Sequence, residues 1–274
     1  MPYIKTQDNV NLYVKNWNGG GSPVILLHGW PLSADSWDDQ ACALAEAGFN
    51  VFAYDRRGFG RSDQPWHGYD YDTLTDDLAA VIDTTGVRDA ALIGFSMGGG
   101  EVARYMSRYR GKDVARAGLV ASVVPYMLKT HDNPDGTDHS IFDDMTLKMK
   151  QDRAKFFASF FKDFYGVGWV TQPTSDELIE SSWIVAMQAG LRPTLECAKS
   201  FATTDFRSDL SAFSVPTLII HGTSDKTVPI DAAGRSAANG IADSILIEYD
   251  GSPHGLLATD KERITRDLLS FLGE

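Results

Sequence analysis

Six short apolar runs divide most of the chain, at residues 23–27, 51–54, 90–93, 118–123, 216–220 and 245–249. They do not alternate apolar with polar positions, and they are too short for helices. This pattern predicts strands that are buried on both faces, as in a parallel sheet. Ahead of them, residues 2–6 and 11–17 have the pattern of a β-hairpin with a polar turn between its strands.

Helix-like segments fill most of the intervals between these runs, at residues 36–47, 73–85, 97–109 and 261–272. In the second segment Leu74, Leu78, Val81 and Ile82 recur at the spacing of one helix face. Strand and helix therefore alternate along the chain. The alternation predicts an α/β fold with a mostly parallel, doubly wound sheet.

The alternation stops between residues 125 and 215, where the pattern is mostly helical and rich in aromatic side chains. Phe157, Phe160, Phe161 and Phe164 follow the i, i+3, i+4, i+7 spacing of a helix. An interval of this length is too long for a plain loop. We therefore predict a core of residues 1–124 and 216–274, interrupted by a helical cap at 125–215.

Composition narrows the classes of partner and location. The 274 residues are 43% hydrophobic and 23% charged, which is typical of a globular protein, and the net charge of −12 argues against nucleic acid or an anionic membrane as partner. No apolar run approaches the ~20 residues of a membrane span, and the N-terminus lacks a signal-peptide core. Cys42 and Cys197 are far apart and show no metal-ligand spacing. We expect a cytoplasmic protein without a metal site.

The segment Gly94-Phe95-Ser96-Met97-Gly98 lies directly between a predicted strand and a predicted helix. A serine on such a sharp turn exposes its hydroxyl at the end of the sheet, and the glycines leave room for close packing. Ser96 is therefore the candidate nucleophile. The alternatives are a serine that caps the helix and a phosphate-binding loop, but the latter lacks its Gly-Lys-Ser/Thr ending.

A serine hydroxyl needs a base to remove its proton. Among the six histidines, His254 lies in a loop between the last predicted strand and the last predicted helix, where the order Ser, Asp, His requires the base. We interpret His221 as structural. The other candidates in polar, loop-like stretches are interpreted as solvated: His67, His131 and His139.

The third member of the candidate triad is a carboxylate that orients the imidazole. Asp225 follows the penultimate core strand and is favoured by that position. Asp205, Asp209 and Asp231 are its rivals.

Two backbone N–H groups are candidates for an oxyanion hole. One belongs to Met97, directly after the nucleophile, and the other to Trp30, in the loop after the first parallel strand. Pro31 has no N–H to offer, and the Trp30–Pro31 peptide could be cis or trans.

Taken together, these motifs resemble the α/β-hydrolase family. The resemblance rests on His28-Gly29, the turn at 54–62, the Ser96 segment, the segment 221–225 and Pro253-His254-Gly255. Segments 28–35 and 54–58 are most similar to cofactor-free bacterial haloperoxidases and aryl esterases. The resemblance implies a serine esterase of small or aryl esters with a promiscuous perhydrolase activity, and it implies no haem, metal or other cofactor. By position, the Arg56-Arg57 turn is interpreted as structural.

The expected substrate pocket is apolar and covered by the cap. We expect it to be lined by Trp30, Phe95, Met127, Trp183 and Met187. A serine at position 96 argues against haloalkane dehalogenases and epoxide hydrolases, which need a carboxylate nucleophile. Lactonases, γ-lactamases and carbon–carbon bond hydrolases share the triad and stay open as alternatives, as do a non-catalytic binding protein on the same scaffold and a homo-oligomer.

Overall fold

A computed structural model describes residues 2–273. Its single sheet has the strand order β1-β2-β4-β3-β5-β6-β7-β8. In chain order the strands are Tyr3–Lys5, Asn11–Asn16, Pro23–Leu27, Asn50–Tyr54, Ala90–Phe95, Val114–Val120, Thr217–Gly222 and Ser244–Tyr249. The hairpin β1–β2 is antiparallel and joins β4 through β2, whereas β3 to β8 run parallel. The predicted mostly parallel α/β sheet is confirmed.

Two strands differ from their predicted form. The apolar run at 118–123 predicts a strand that begins at residue 118, but β6 begins at Val114. The apolar pattern does not show this earlier start, because the partly exposed Arg116 interrupts it. The prediction of burial on both faces is wrong for β8, where the side chain of Ile245 is 55% exposed. This strand is the edge of the sheet and pairs with β7 alone.

The helices alternate with the strands as predicted. In chain order α1 to α9 are Asp38–Glu46, Tyr71–Thr85, Met97–Arg108, His139–Phe164, Asp176–Gln188, Leu191–Thr203, Ser236–Gly240, Leu256–Thr259 and Lys261–Gly273. Helix α1 packs on α9, and α2 packs on α3, which lies against β5 and β6. Fully buried aliphatic side chains such as Leu26, Leu92 and Leu268 form the core against the sheet.

Three of these helices, α4 to α6, lie between β6 and β7, in the interval that the sequence assigns to a cap. Helix α4 packs on α5 and α6 and buries Phe157, Phe161 and Phe164. It is interrupted at Asp152, whose φ of −157° and ψ of 87° are not helical. The carboxylate of Asp152 accepts a hydrogen bond from the Lys155 amide at 2.9 Å, so it caps the second half of α4.

A buried ion pair joins the end of β4 to α3. Arg56 donates from Nε to Glu101 Oε1 at 2.5 Å, and the Tyr54 hydroxyl donates to Glu101 Oε2 at 2.6 Å. Arg56 also donates from Nη2 to the His28 carbonyl oxygen at 2.7 Å. The Arg56-Arg57 turn is thus structural, as interpreted from the sequence: Arg57 is likewise buried and paired with Asp77.

We expect Glu101→Gln to lower the free energy of unfolding by about 3–5 kcal/mol, because the substitution leaves the Arg56 charge buried without a counter-charge. The measurement is urea unfolding followed by tryptophan fluorescence. The matched control is Asp83→Asn, which breaks the exposed pair with Lys112 and should change the free energy by about 0.5 kcal/mol or less. Equal, small effects of both substitutions would contradict the prediction.

Candidate active site

Ser96 lies on a tight turn between β5 and α3. Its φ of 53° and ψ of −118° are strained for a residue with a side chain. A Cβ on Gly94 would lie 2.5 Å from the carbonyl of Gly98, and a Cβ on Gly98 would lie 2.5 Å from the Leu27 carbonyl oxygen. Only glycine therefore fits on either side of the turn. The Ser96 side chain makes no capping hydrogen bond to α3, so the capping interpretation is wrong.

The three candidate triad residues come together at the carboxyl ends of the strands. Ser96 Oγ lies 2.9 Å from His254 Nε2, and His254 Nδ1 lies 2.6 Å from Asp225 Oδ2. Ser96 follows β5, Asp225 follows β7, and His254 lies between β8 and α8. All three are buried. This arrangement allows a proton to pass from the hydroxyl to an imidazole that the carboxylate orients.

The environment of Asp225 favours its charged form. Its Oδ1 accepts hydrogen bonds from the amides of Thr227 and Val228, both at 2.8 Å. Burial acts to raise the pKa of Asp225, but its interactions with the neighbouring imidazoles of His254 and His221 outweigh burial and hold the pKa well below its usual range. The carboxylate is therefore ionised at neutral pH and can stabilise an imidazolium.

The rival carboxylates are paired elsewhere. Asp205 and Asp231 form exposed ion pairs with Arg207 and Arg235, respectively. Asp209 is buried beside Arg104. These three carboxylates therefore have structural partners that do not include His254.

The loop after β3 packs directly against the nucleophile. A Cβ on Gly29 would lie 3.0 Å from Ser96 Cβ, so glycine is required for this approach. The next peptide, Trp30–Pro31, is cis. Within residues 2–273 the amides of Trp30 and Met97 donate no hydrogen bond, which leaves both N–H groups available to a ligand at Ser96.

His28 anchors this loop from behind. Its Nε2 accepts a hydrogen bond from the Arg56 amide at 2.9 Å, and its ring nitrogen Nδ1 lies 2.9 Å from the Gly29 carbonyl oxygen. Burial and the neighbouring Arg56 charge hold the pKa of His28 well below its ordinary value. The ring therefore stays neutral, and its two hydrogen bonds hold the loop after β3 against the end of β4.

A cavity of about 340 Å³ opens over Ser96. Its lining is mainly apolar and comes from loops and from the helices between β6 and β7: Trp30, Val123, Met127, Ile141, Phe142, Met145, Phe156, Phe160, Phe201 and Val228. Charged side chains also contribute to the lining: Asp144, Lys148, Asp163 and Lys226. The expected lining residues Trp30 and Met127 are placed here by the structure.

The other three expected lining residues lie elsewhere and are corrected. Phe95 packs beside His254, with ring centroids 5.3 Å apart, and lines a separate cavity of about 190 Å³. Trp183 donates from Nε1 to the Ala154 carbonyl oxygen at 2.8 Å and so joins α5 to α4. Met187 packs against the hydrophobic core. Sequence reasoning missed Val123, Phe201 and Val228, which carry no motif and reach the cavity only through tertiary packing.

Among residues 2–273, no group of three or more His, Cys, Asp or Glu side chains is placed to hold a metal ion. No helix in the same range has the length and apolar character needed to cross a membrane.

Comparison with known proteins identifies the family. The family model described as alpha/beta hydrolase fold matches residues 22–260. The chain belongs to the α/β-hydrolase family. Within this α/β-hydrolase, the turn that carries Ser96 occupies the place of the nucleophile elbow, between a parallel strand and the helix that follows it.

Relatives that match this α/β-hydrolase along its full length carry the names of enzymes. A bifunctional esterase/perhydrolase from Acinetobacter calcoaceticus is 40% identical over 274 residues, with 99% of each chain covered. A non-heme chloroperoxidase from Kitasatospora aureofaciens is 39% identical over 276 residues, with 100% of each chain covered. A bromoperoxidase structure from Bacillus anthracis is 42% identical with a TM-score of 0.96, and 99% of each chain is covered.

Proposed function

We propose that this protein is a serine esterase of small or aryl carboxylic esters that also forms peracids from hydrogen peroxide. The observation that carries the proposal is the hydrogen-bonded chain from Ser96 through His254 to Asp225, placed at the base of an apolar cavity. The full-length similarity to an esterase/perhydrolase and to non-heme haloperoxidases supports it.

In the first half of the reaction Ser96 Oγ attacks the ester carbonyl while His254 Nε2 takes its proton. Asp225 holds the imidazole with Nδ1–H toward the carboxylate and stabilises the imidazolium. The N–H groups of Trp30 and Met97 bind the oxygen that becomes negative in the tetrahedral intermediate. His254 then gives the proton to the leaving alcohol, and the acyl group remains on Ser96.

The second half depends on which molecule attacks the acyl-enzyme. Water gives the carboxylic acid, whereas hydrogen peroxide gives a peracid, and in both cases His254 accepts the proton of the attacking molecule and returns it to Ser96. A peracid released into solution oxidises bromide to hypobromous acid and is itself reduced to the carboxylic acid. The halide therefore needs no binding site on the protein in this scheme.

We assign residues 125–215 to a cap that completes the acyl pocket. Helix α4 contributes Phe156 and Phe160 to the cavity lining, and α6 contributes Phe201. Trp30 lies with its ring centroid 5.4 Å from Phe160 and 5.5 Å from Phe201. Such an aromatic wall suits an aryl or short aliphatic acyl group.

The proposal includes a cytoplasmic location and a small-molecule ester, rather than a nucleic acid, as partner. Both cysteines are free thiols, Cys42 exposed and Cys197 buried, which suits a reducing compartment. The net charge of −12 repels polyanions.

Peroxide chemistry gives the sharpest test of the proposed activity. With hydrogen peroxide and bromide present, we expect bromination of a dye to require added acetate, because acetic acid acylates Ser96 with loss of water and hydrogen peroxide then releases the acyl group as peracetic acid. A chelator should leave the rate of bromination unchanged.

The esterase half of the proposal is tested by turnover of p-nitrophenyl acetate and by mass spectrometry of acetylated Ser96 after rapid quenching. Bromination at the same rate without any carboxylic acid would contradict the peracid route, and the absence of ester turnover would contradict the esterase.

A further inference from the structure

His221 is a second histidine beside the acid of the candidate triad. It lies on β7, one residue before the strand ends, and its side chain is fully buried. Its Nε2 is 2.9 Å from the Val228 carbonyl oxygen and 3.4 Å from Asp225 Oδ2. The mechanism above does not use this ring.

The contacts of the ring assign its proton. A carbonyl oxygen only accepts hydrogen bonds, so Nε2 of His221 carries a hydrogen and donates it to Val228. The same nitrogen lies 3.4 Å from Asp225 Oδ2, close enough for electrostatic attraction although its hydrogen bond goes to Val228. Nδ1 of His221 has no hydrogen-bond partner among residues 2–273. The polar function of the ring is thus confined to its Nε2–H.

With His221 included, Asp225 faces a donor at each of four positions. Oδ1 accepts the amides of Thr227 and Val228, and Oδ2 accepts His254 Nδ1 and lies beside His221 Nε2. The backbone amides hold Oδ1 in place. Both histidine rings lie next to Oδ2, which is the oxygen that orients the base.

Neighbouring elements hold the His221 ring in place. A Cβ on Gly234 would lie 2.9 Å from His221 Cβ and Nδ1, so the chain at Gly234 presses against the ring. Its titratable neighbours include Asp225 and, on the adjacent strand β8, Glu248, whose carboxylate is bound by Arg235 at 2.6 and 2.8 Å. The hydrogen of His221 is directed at the Val228 carbonyl oxygen, on the side of the ring that faces Asp225.

We propose that His221 is a positioning residue for the reaction, which ties the turn 225–228 to the end of β7 and holds Asp225 Oδ2 on His254 Nδ1. The proposal rests on the proposed function for its kinetic consequence, but its structural content is independent of turnover. The ring touches neither the substrate cavity nor Ser96 in the contacts given above, so its effect passes through Asp225 and His254.

Two substitutions separate hydrogen bonding from packing. His221→Leu keeps a side chain of similar size and removes the donor, whereas His221→Gln places an amide N–H close to the position of Nε2. We expect His221→Leu to lower kcat for p-nitrophenyl acetate by about tenfold with KM changed by about twofold or less. His221→Gln should recover kcat to within about threefold of the wild type. The control is His139→Leu, an exposed position paired with Asp143, which should leave both constants unchanged.

A proton NMR spectrum tests the same proposal without turnover. The proton of the 2.6 Å hydrogen bond between His254 Nδ1 and Asp225 should resonate far downfield in the wild type and in His221→Gln. In His221→Leu it should move upfield or broaden. Unchanged kcat and an unchanged resonance in His221→Leu overturn the proposal, as does an equal loss of kcat in both variants with the resonance intact. If the wild type fails to cleave esters, the proposed function fails, and the resonance alone decides the role of His221.

Discussion

Replacing Ser96 with alanine is expected to lower kcat/KM for p-nitrophenyl acetate by about 10⁴-fold or more. The substitution removes the only atom at this turn that can form the acyl bond, since the neighbouring residues Gly94 and Gly98 carry no side chain and Met97 carries no nucleophile. The amides of Trp30 and Met97 remain, so weak residual catalysis over water should persist. The measurement is steady-state hydrolysis at matched protein concentrations.

The control for Ser96→Ala is Ser200→Ala, on α6, where the hydroxyl donates to the Tyr69 carbonyl oxygen and lies outside the site. It should keep kcat/KM within about twofold of the wild type. Urea unfolding of both variants checks that the fold survives. Wild-type rates from folded Ser96→Ala would remove Ser96 from the mechanism, and a persistent acetylated species in that variant would point to a different nucleophile.

The second large effect concerns the acid. Asp225→Asn is expected to lower kcat by about 10⁴-fold while KM changes little. The amides of Thr227 and Val228 require an acceptor, so the asparagine oxygen faces them and its NH₂ group faces His254. His254 Nδ1 must then accept a hydrogen bond, and its proton moves to Nε2, toward Ser96. In that tautomer the imidazole cannot take the proton of the hydroxyl.

Asp231→Asn is the matched control for this substitution. It removes one carboxylate charge from the same region of the chain, at an exposed pair with Arg235, and should leave kcat within about twofold. The downfield proton of His254 should disappear in Asp225→Asn and stay in Asp231→Asn. A fall in kcat of less than about tenfold in folded Asp225→Asn would assign the orienting role to another carboxylate.

The candidate triad could be predicted because its members occupy strand ends. Ser96, Asp225 and His254 each follow a run that is apolar without alternation, and the carboxyl ends of parallel strands meet at one edge of a sheet. Glycines at 94 and 98 indicated the sharp turn. In the structure the backbone packs so closely at both positions that a side chain would not fit. The local sequence pattern and the long-range geometry agree at these positions. The sequence was therefore sufficient to predict that the three side chains lie close together.

The cavity lining, the break in α4 and the position of β8 at the sheet edge depended on information that periodicity does not contain. Trp183 and Phe160 are both aromatic residues on cap helices, but only the packing of α4 on α5 decides that Phe160 lines the cavity and Trp183 does not. The break at Asp152 involves neither proline nor glycine, and an aspartate alone does not distinguish a capping position from a surface position within one continuous helix. Likewise, the place of β8 at the sheet edge follows from strand order, which the apolar run at 245–249 does not encode.

The order of the triad residues along the chain has a consequence for synthesis. The candidate nucleophile and its candidate base are 158 positions apart, with the helices α4 to α6 and the strands β7 and β8 encoded between them. A ribosome adding about 5–20 residues per second therefore incorporates Ser96 about 8–30 s before it incorporates His254. During that interval the serine lacks its candidate base, and residues 125–215, which supply part of the cavity lining, are still being added for most of the time. The hydroxyl of Ser96 therefore cannot be paired with His254 until translation has passed position 254.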